Sequence, residues 1–329
     1  MHTTTLYHGT LAPHGAIFRF LSLCGENREI AIYVARGTAR GADGAPETAL
    51  WRYQHCVDEH AFEEMLRRRS VVRLELGACY SVSPRLLRTL SLQARAETRD
   101  LVFDVDVDAY DASAAAAEGA GAGLVRRCCA GARLCARCWP LLACAADVLA
   151  FVLTQLLGYA HVLYVFSGRR GVHVWVCDAH ARVLSEGARL VPTRLLDASA
   201  RRLARLTRAA DVPSDEDSDL FAVLERHYAE FAQRQGEAPA AAPARVAATM
   251  MPRLDAAVTR QLAHLLRPPL VAHQSGGIAL PMPLEVLRTF DPERDALSTD
   301  QVVHNASGAR ARLLAHTEHL VAFCRGVER

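Results

Sequence analysis

Tyr164-Val165-Phe166-Ser167-Gly168-Arg169-Arg170-Gly171-Val172-His173-Val174-Trp175-Val176 is the stretch on which the fold turns. Two apolar, β-branched and aromatic runs flank a short segment bounded by Gly168 and Gly171, the pattern of a β-hairpin with a tight turn. Upstream, Leu101–Asp108 alternates strictly. Phe103, Val105 and Val107 share one face, and Asp104, Asp106 and Asp108 the other. Strands are therefore expected over Leu101–Asp108, His161–Phe166 and Val172–Val176. The apolar run Trp139–Gly158 reads as a long helix between them.

Working outward, Ile30–Val34, Leu50–His55, Val71–Leu76 and Ile278–Pro283 also read as strands, and Asp58–Arg69 as a helix with Phe62, Met65 and Leu66 on one side. Ala35–Ala49 has the composition of a surface turn, and Ala112–Gly123 that of a low-complexity insertion. Arg182–Ala210 is Leu-patterned and helical, Asp211–Asp219 an acidic turn, Leu220–Gln235 a further helix, and Gly236–Ala244 an Ala/Pro linker. Helix resumes from about Gly308. No internal repeat is present. The mixture of strands and helices predicts an α+β fold.

The chain has 329 residues, 51% of them apolar and 22% charged, which excludes a disordered chain. Its 38 basic and 36 acidic residues leave a net charge of +2. That excludes a uniformly basic nucleic-acid coat but not a local basic cleft. All the basic residues are arginine, so arginine or histidine must hold any phosphate and no lysine can act as nucleophile. Met1–Gly25 lacks the basic-then-apolar order of a secretory signal, so the protein is expected not to be secreted. Asp147 and Gln155 interrupt the most membrane-like stretch, which predicts a buried helix and no membrane partner.

Three clusters carry chemistry. Asp104 and Asp106 lie two apart on a strand, so their carboxylates share a face, repel, and are relieved by a divalent cation. The alternative is an exposed acidic edge. Cys128, Cys129, Cys135 and Cys138 form Cys-Cys-x5-Cys-x2-Cys, which suits a closed tetrahedral zinc site. Packed free thiols and an iron–sulfur cluster are the alternatives. Neighbouring Arg126, Arg127, Arg133 and Arg137 would soften the thiolate charge. Arg169 and Arg170, on the Gly-bounded turn, supply forked donors for phosphate, and His173 follows on the next strand. The alternative there is a solvated basic turn.

These residues resemble the small, catalytic subunit of archaeal–eukaryotic DNA primase. Leu101–Asp106 resembles its catalytic acidic strand, Cys128–Pro140 its eukaryotic-type zinc motif, and Tyr164–Asp178 its longest signature. Arg253-Leu254-Asp255 resembles the segment with the third catalytic acid, and His264–Pro269 with His273 the nucleotide-contacting stretch beyond. Trp51–Gln54 and Leu74–Ser81 are similar to weaker N-terminal motifs.

The resemblance implies a primase catalytic core built on an RNA-recognition-like sheet, forming a single domain over 1–329. A zinc-binding motif is inserted at 124–140, and a reduced helical subdomain occupies 179–245. It implies that Asp104, Asp106 and Asp255 hold catalytic Mg²⁺ or Mn²⁺, and that the four cysteines hold structural Zn²⁺. Ser167, Arg169, Arg170, His173, Arg267 and His273 would bind the incoming triphosphate. Arg52 would lie near nucleotide or primer phosphates and Glu75 near the sugar. The implied activity is synthesis of short RNA primers on single-stranded DNA, with nucleoside triphosphates, the primer, a primase large subunit and a replicative polymerase as partners. The expected location is the nucleus of a eukaryotic cell, or otherwise another intracellular replication site.

A primase-polymerase preferring deoxynucleotides is the nearest alternative. A catalytically silent scaffold and a metal-dependent nuclease fit the carboxylates and arginines less well. The sequence departs from the family pattern at Arg267, usually lysine, at Glu75, usually aspartate, and at Asp108, an acid one position early. The Ala112–Gly123 insertion and a short Asp178–Met250 region are further departures.

Overall fold

The computed structural model describes residues 2–40, 46–87, 95–111, 128–129, 134–208 and 210–329. The Ala112–Gly123 insertion, positions 41–45 of the expected turn, and Arg126, Arg127 and Arg133 lie outside the described residues.

Two four-stranded antiparallel sheets share one hydrophobic core. The first contains β1 (Arg28–Arg40), β2 (Pro46–Gln54), β3 (Val71–Tyr80) and β4 (Ala96–Thr98) in the order β2-β1-β3-β4. The second contains β5 (Leu101–Asp106), β6 (Val162–Phe166), β7 (Gly171–Val176) and β8 (Leu280–Met282) in the order β5-β7-β6-β8. Among the helices of the described residues are α1 (His14–Ser22), α2 (Glu59–Arg68), α3 (Trp139–Ala150), α4 (Val191–Leu203), α5 (Asp215–Gln235), α6 (Pro243–Met250), α7 (Ala256–Arg260) and α8 (Ala309–Val327). The chain runs from β5 through α3 to β6, then turns back as β7 between them, a split β-α-β unit.

Both sheets contribute to one continuous apolar cluster. Leu74 and Leu76 of β3, Phe103 and Val105 of β5, Trp175 of β7, Leu142 and Leu149 of α3, and Tyr228 and Phe231 of α5 all belong to it. The apolar stretch Trp139–Leu156, which begins with α3, has the length and hydropathy of a membrane span, yet 78% of it is buried inside the protein. A buried ion triplet also ties the sheets. Asp100, just ahead of β5, accepts from Arg28 at 2.8 Å and from Arg182 at 2.8 Å. Removing one member would strand a desolvated charge, so the triplet stands or falls as a unit.

The helical segment departs from expectation in two places. The predicted helix over Arg182–Ala210 is broken: Ala179–Arg182 forms one turn, Ala188–Leu190 another, and α4 starts only at Val191. Pro192 explains the restart, because proline has no N–H to donate inside a helix but fits its first turn. The expected acidic turn is instead the first turn of α5, with Asp215, Glu216 and Asp217 at the positive end of the helix dipole. Arg202 of α4 grips Asp217 there, at 2.6 and 2.7 Å.

Candidate active site

Antiparallel pairing sets the register of β5 against β7. Asp104 faces His173, and Asp106 faces Gly171. A Cβ at position 171 would overlap the Val105 carbonyl and the Asp106 carboxylate, so only glycine lets the strands meet here. Gly168 has φ of 82°, and an added Cβ would lie 2.7 Å from the Ile278 backbone; a Cβ on Gly277 would collide with the Gly168 carbonyl. The turn is thereby wedged against the segment leading to β8. Ser167 closes the hairpin, its backbone N–H donating to Gly171 O at 2.9 Å and its hydroxyl oxygen accepting from Gly171 N–H at 3.0 Å.

The third carboxylate arrives from another part of the chain. Asp255 donates its backbone N–H to the Asp104 carbonyl at 3.1 Å, while its own Oδ1 caps α7 through the N–H groups of Ala257 and Val258. Burial, reinforced by the charge of Asp255, pushes the Asp104 carboxyl up to about 6. Asp106 is raised as well, by burial and by Asp104, with Arg170 opposing. Asp104 Oδ1 is buried without a hydrogen bond; His173 Nε2 stands 3.5 Å away. Mutually repelling carboxylates with an orphaned oxygen are hard donors of the type a divalent cation takes, although among the described residues it is the four cysteines, not these carboxylates, whose ligand atoms converge within 4.8 Å.

Two hollows meet at this strand. One, of about 230 Å³, is lined by Arg73, Glu75, Ser167, Arg169, Arg170, His173, Arg267 and His273 together with Asp104 and Asp106. The other, a cleft of about 620 Å³, shares Asp104 and Asp106 and adds Asp108, Thr193, Asp197, Arg253 and Asp255. The first is basic and the second acidic.

Within the basic pocket the arginines differ. Arg267 is buried and donates to the Ser167 carbonyl at 2.5 Å, while its Nε has no partner. Burial and the neighbouring Arg73 lower it to about 10. Arg170 is clasped by Asp106 and Asp108, each at 2.7 Å. Arg169 is exposed and has no ion-pair partner among the described residues. Burial first, then Arg267, lowers both His173 and His273 to about 3, so both are neutral at physiological pH. The Nδ1 of His273 accepts the Ser275 N–H at 3.0 Å, which leaves its proton on Nε2.

The sulfur atoms of Cys128, Cys129, Cys135 and Cys138 all lie within 4.8 Å of one another, with contacts of 3.0, 3.3, 3.4 and 3.7 Å. Tetrahedral zinc with bonds of about 2.3 Å needs sulfur separations of about 3.8 Å, so the set fits after slight expansion. Arg137 fixes the loop by donating to the Arg234 carbonyl at the end of α5, at 2.9 and 2.7 Å. Although burial opposes it, hydrogen bonds from Cys138 and Cys135 bring Cys128 down to about 7, favouring the thiolate.

Residues 103–286, from the carboxylate strand to just beyond β8, match the profile of the DNA primase small subunit family. The chain belongs to that family. The DNA primase small subunit of Drosophila melanogaster is 31% identical over 193 residues, covering 58% of this chain and 40% of that protein. That of Saccharomyces cerevisiae is 32% identical over 187 residues, covering 55% and 40%. The Schizosaccharomyces pombe protein is 26% identical over 285 residues, covering 67% and 60%. The chain thus spans about 40% of the length of the first two relatives.

Three residues named from the primase resemblance are already engaged within the protein. Arg52 does not join the basic pocket. Its guanidinium is bidentate on buried Glu29, at 2.8 and 2.9 Å, and it lines a separate groove. Arg170, named for the triphosphate, is already paired with Asp106 and Asp108. Glu75 is in the pocket but engaged, accepting from Arg73 Nε at 2.9 Å and from the Tyr33 hydroxyl at 3.1 Å.

Arg73 itself, together with Thr193 and Asp197, was not anticipated. The signal for Arg73 was its place two residues before Glu75 on one strand, hence on the same face. Nothing in the sequence pointed to Thr193 or Asp197, which reach the site on α4.

Proposed function

We propose that this chain is the catalytic subunit of a primase, joining ribonucleotides into short RNA primers on single-stranded DNA. One observation carries the reading: the carboxylate strand stands at the seam between a small basic pocket and a larger open cleft. A triphosphate suits the first, and the terminus that attacks it suits the second.

In this reading Asp104, Asp106 and Asp255 hold Mg²⁺ or Mn²⁺, which when bound would activate the attacking hydroxyl and offset charge on the leaving pyrophosphate. Arg169 reaches the triphosphate from solvent, and Arg267 from within. Their positive charge is fixed before the reaction, so it stabilises charge developing on the departing phosphates without reorganisation. Neutral His273 presents its Nε2–H to the same pocket. Arg170, braced by Asp106 and Asp108, couples the acidic strand to the turn that carries Arg169. The 620 Å³ cleft has room for the 3′ end opposite the pocket, where proximity would contribute to rate.

The split β-α-β unit supports the RNA-recognition-like sheet as the platform, although β8 extends it beside β6. Structural zinc at the four cysteines, a primase large subunit and a replicative polymerase belong to the same proposal. So does work at a DNA replication site, the nucleus in a eukaryotic cell.

The test is synthesis on a single-stranded homopolymer, de novo and from an annealed RNA primer, with ribo- or deoxynucleotides and Mg²⁺ or Mn²⁺. Ribonucleotide products that vanish in Asp104→Asn are expected. Products made only from deoxynucleotides would replace the reading with a primase-polymerase, and no product under any condition would sink both.

A further inference from the structure

Trp51, Arg52, Tyr53 and Gln54 are consecutive, yet all four line one groove, together with Arg69 and Arg85. A regular strand would send alternate members to opposite faces. Here the register against β1 slips: Ile30 pairs with Gln54 and Ile32 with Trp51, so β2 carries one extra residue, a bulge. Tyr53 takes φ of 61°, which bulky residues avoid. Glu29 holds this shape, accepting from Arg52 and from the Tyr53 backbone N–H at 3.2 Å.

The groove, about 490 Å³ in volume, offers aromatic faces and positive charge. Trp51 is 41% exposed, against 2% for Trp139 and 0% for Trp175. The Arg69 guanidinium lies 4.6 Å from the Trp51 ring centroid. Arg85 is held at the rim by a 2.7 Å bond to the His55 carbonyl. Neither Arg69 nor Arg85 has an ion-pair partner among the described residues, and no acidic residue lines the groove. Through the in-register pairs of Gln54 with Ile30 and Ile30 with Leu76, the groove lies two strand spacings, roughly 10 Å, from the strand bearing Glu75.

We propose that this groove binds single-stranded nucleic acid, stacking a base on Trp51 and holding its phosphates with Arg69 and Arg85, and so guides the template toward the active site. Aromatic stacking beside unneutralised arginines is the recognition chemistry of unpaired strands. The guiding role rests on the function proposed above; the binding does not.

Tryptophan fluorescence reads the groove directly, because Trp51 is the exposed tryptophan. The probe is an oligodeoxythymidylate roughly 16 nucleotides long, added without triphosphate or divalent ion. Emission should be quenched on binding. By anisotropy of the labelled oligonucleotide, Trp51→Ala should bind about tenfold more weakly, and Trp51→Phe should restore most of the loss. Arg69→Ala with Arg85→Ala should flatten the salt dependence by about 1.4 in log–log slope. Thermal melts of these surface variants should match the parent.

Oligonucleotide binding with unchanged emission and unchanged Trp51→Ala affinity would overturn the proposal, as would no binding at all. A chain that binds here yet adds no nucleotide to a primed template would sink the proposed function and leave the groove standing.

Discussion

Four cysteines and three carboxylates are gathered in two places, and the two sets are built to opposite ends. The four cysteines supply every ligand that a tetrahedral zinc needs, from a loop fastened to the end of α5. Nothing remains open for a substrate. The carboxylates leave Asp104 Oδ1 without a partner and face two hollows at once. Zinc in the first arrangement would contribute to folding, and a divalent ion in the second, as proposed above, would keep coordination free for chemistry. Softness of the donors sorts the ions, and openness of the shell sorts the roles.

The largest expected effect separates the two sites. Asp104→Ala should cut nucleotide addition on the order of a thousandfold, the loss of several kcal/mol of charge stabilisation. The same change should leave the thermal midpoint unchanged or raised in metal-free buffer, because it removes a buried charge repelled by Asp255. Primer-extension rates beside thermal melts check this. A melt lowered by many degrees would make the carboxylates structural and break the contrast.

Cys135→Ser should do the reverse, releasing one zinc per chain and lowering the midpoint by several degrees, at about 2–4 °C per kcal/mol. Elemental analysis of the parent protein decides the metal. Iron, or a folded chain with no metal at these cysteines, would overturn the assignment.

A smaller effect sharpens the open side. Arg169→Ala should raise the KM for triphosphate about tenfold, the worth of one charge-assisted hydrogen bond. Affinity for single-stranded template should be unchanged, and Arg169→Lys should rescue in part, since a point charge replaces a fork. Arg170→Ala is a poorer probe, because it also frees Asp106 and Asp108.

The smallest effect is one of pH. Asp104 titrates near 6 when folded, above its ordinary value, so the folded state holds that proton more tightly. Its contribution to stability is complete below the unfolded value and is lost as pH rises through 6. His173 and His273, lowered to about 3, act oppositely as pH falls through the ordinary histidine range. A difference measurement therefore isolates the aspartate. In metal-free buffer Asp104→Asn should melt higher than the parent at pH 7, with the gap closing toward pH 5.

Much of this was legible because it was local. Strict alternation in Leu101–Asp108 and the Gly-bounded hairpin carry strand, turn and shared face in a few residues; the hairpin lies where expected, while the strand ends at Asp106, two residues short. The cysteine spacing needed no fold at all. Asp255 was found only through family resemblance, since its nearness to Asp104 depends on a backbone bond across distant segments. Ala35–Ala49 reads as a turn because Gly and Ala carry little strand signal; pairing with β2 extends β1 to Arg40. Strand character also ran past its expected end, from Val71–Leu76 to Tyr80. The tie between Arg52 and Glu29 was hidden because it spans two strands.

The contact between Gly168 and Gly277 has a consequence for genetics. Neither residue owns a side chain, and neither could touch a nucleotide except through its backbone. Yet alanine at position 277 would collide with the Gly168 carbonyl, and alanine at 168 would press on Ile278. A saturation screen scored on replication would find both positions as intolerant as the carboxylates, with not even alanine surviving. Suppressors of such alleles would have to arise in the facing segment, so that two stretches of chain more than a hundred positions apart would be inherited as a matched pair.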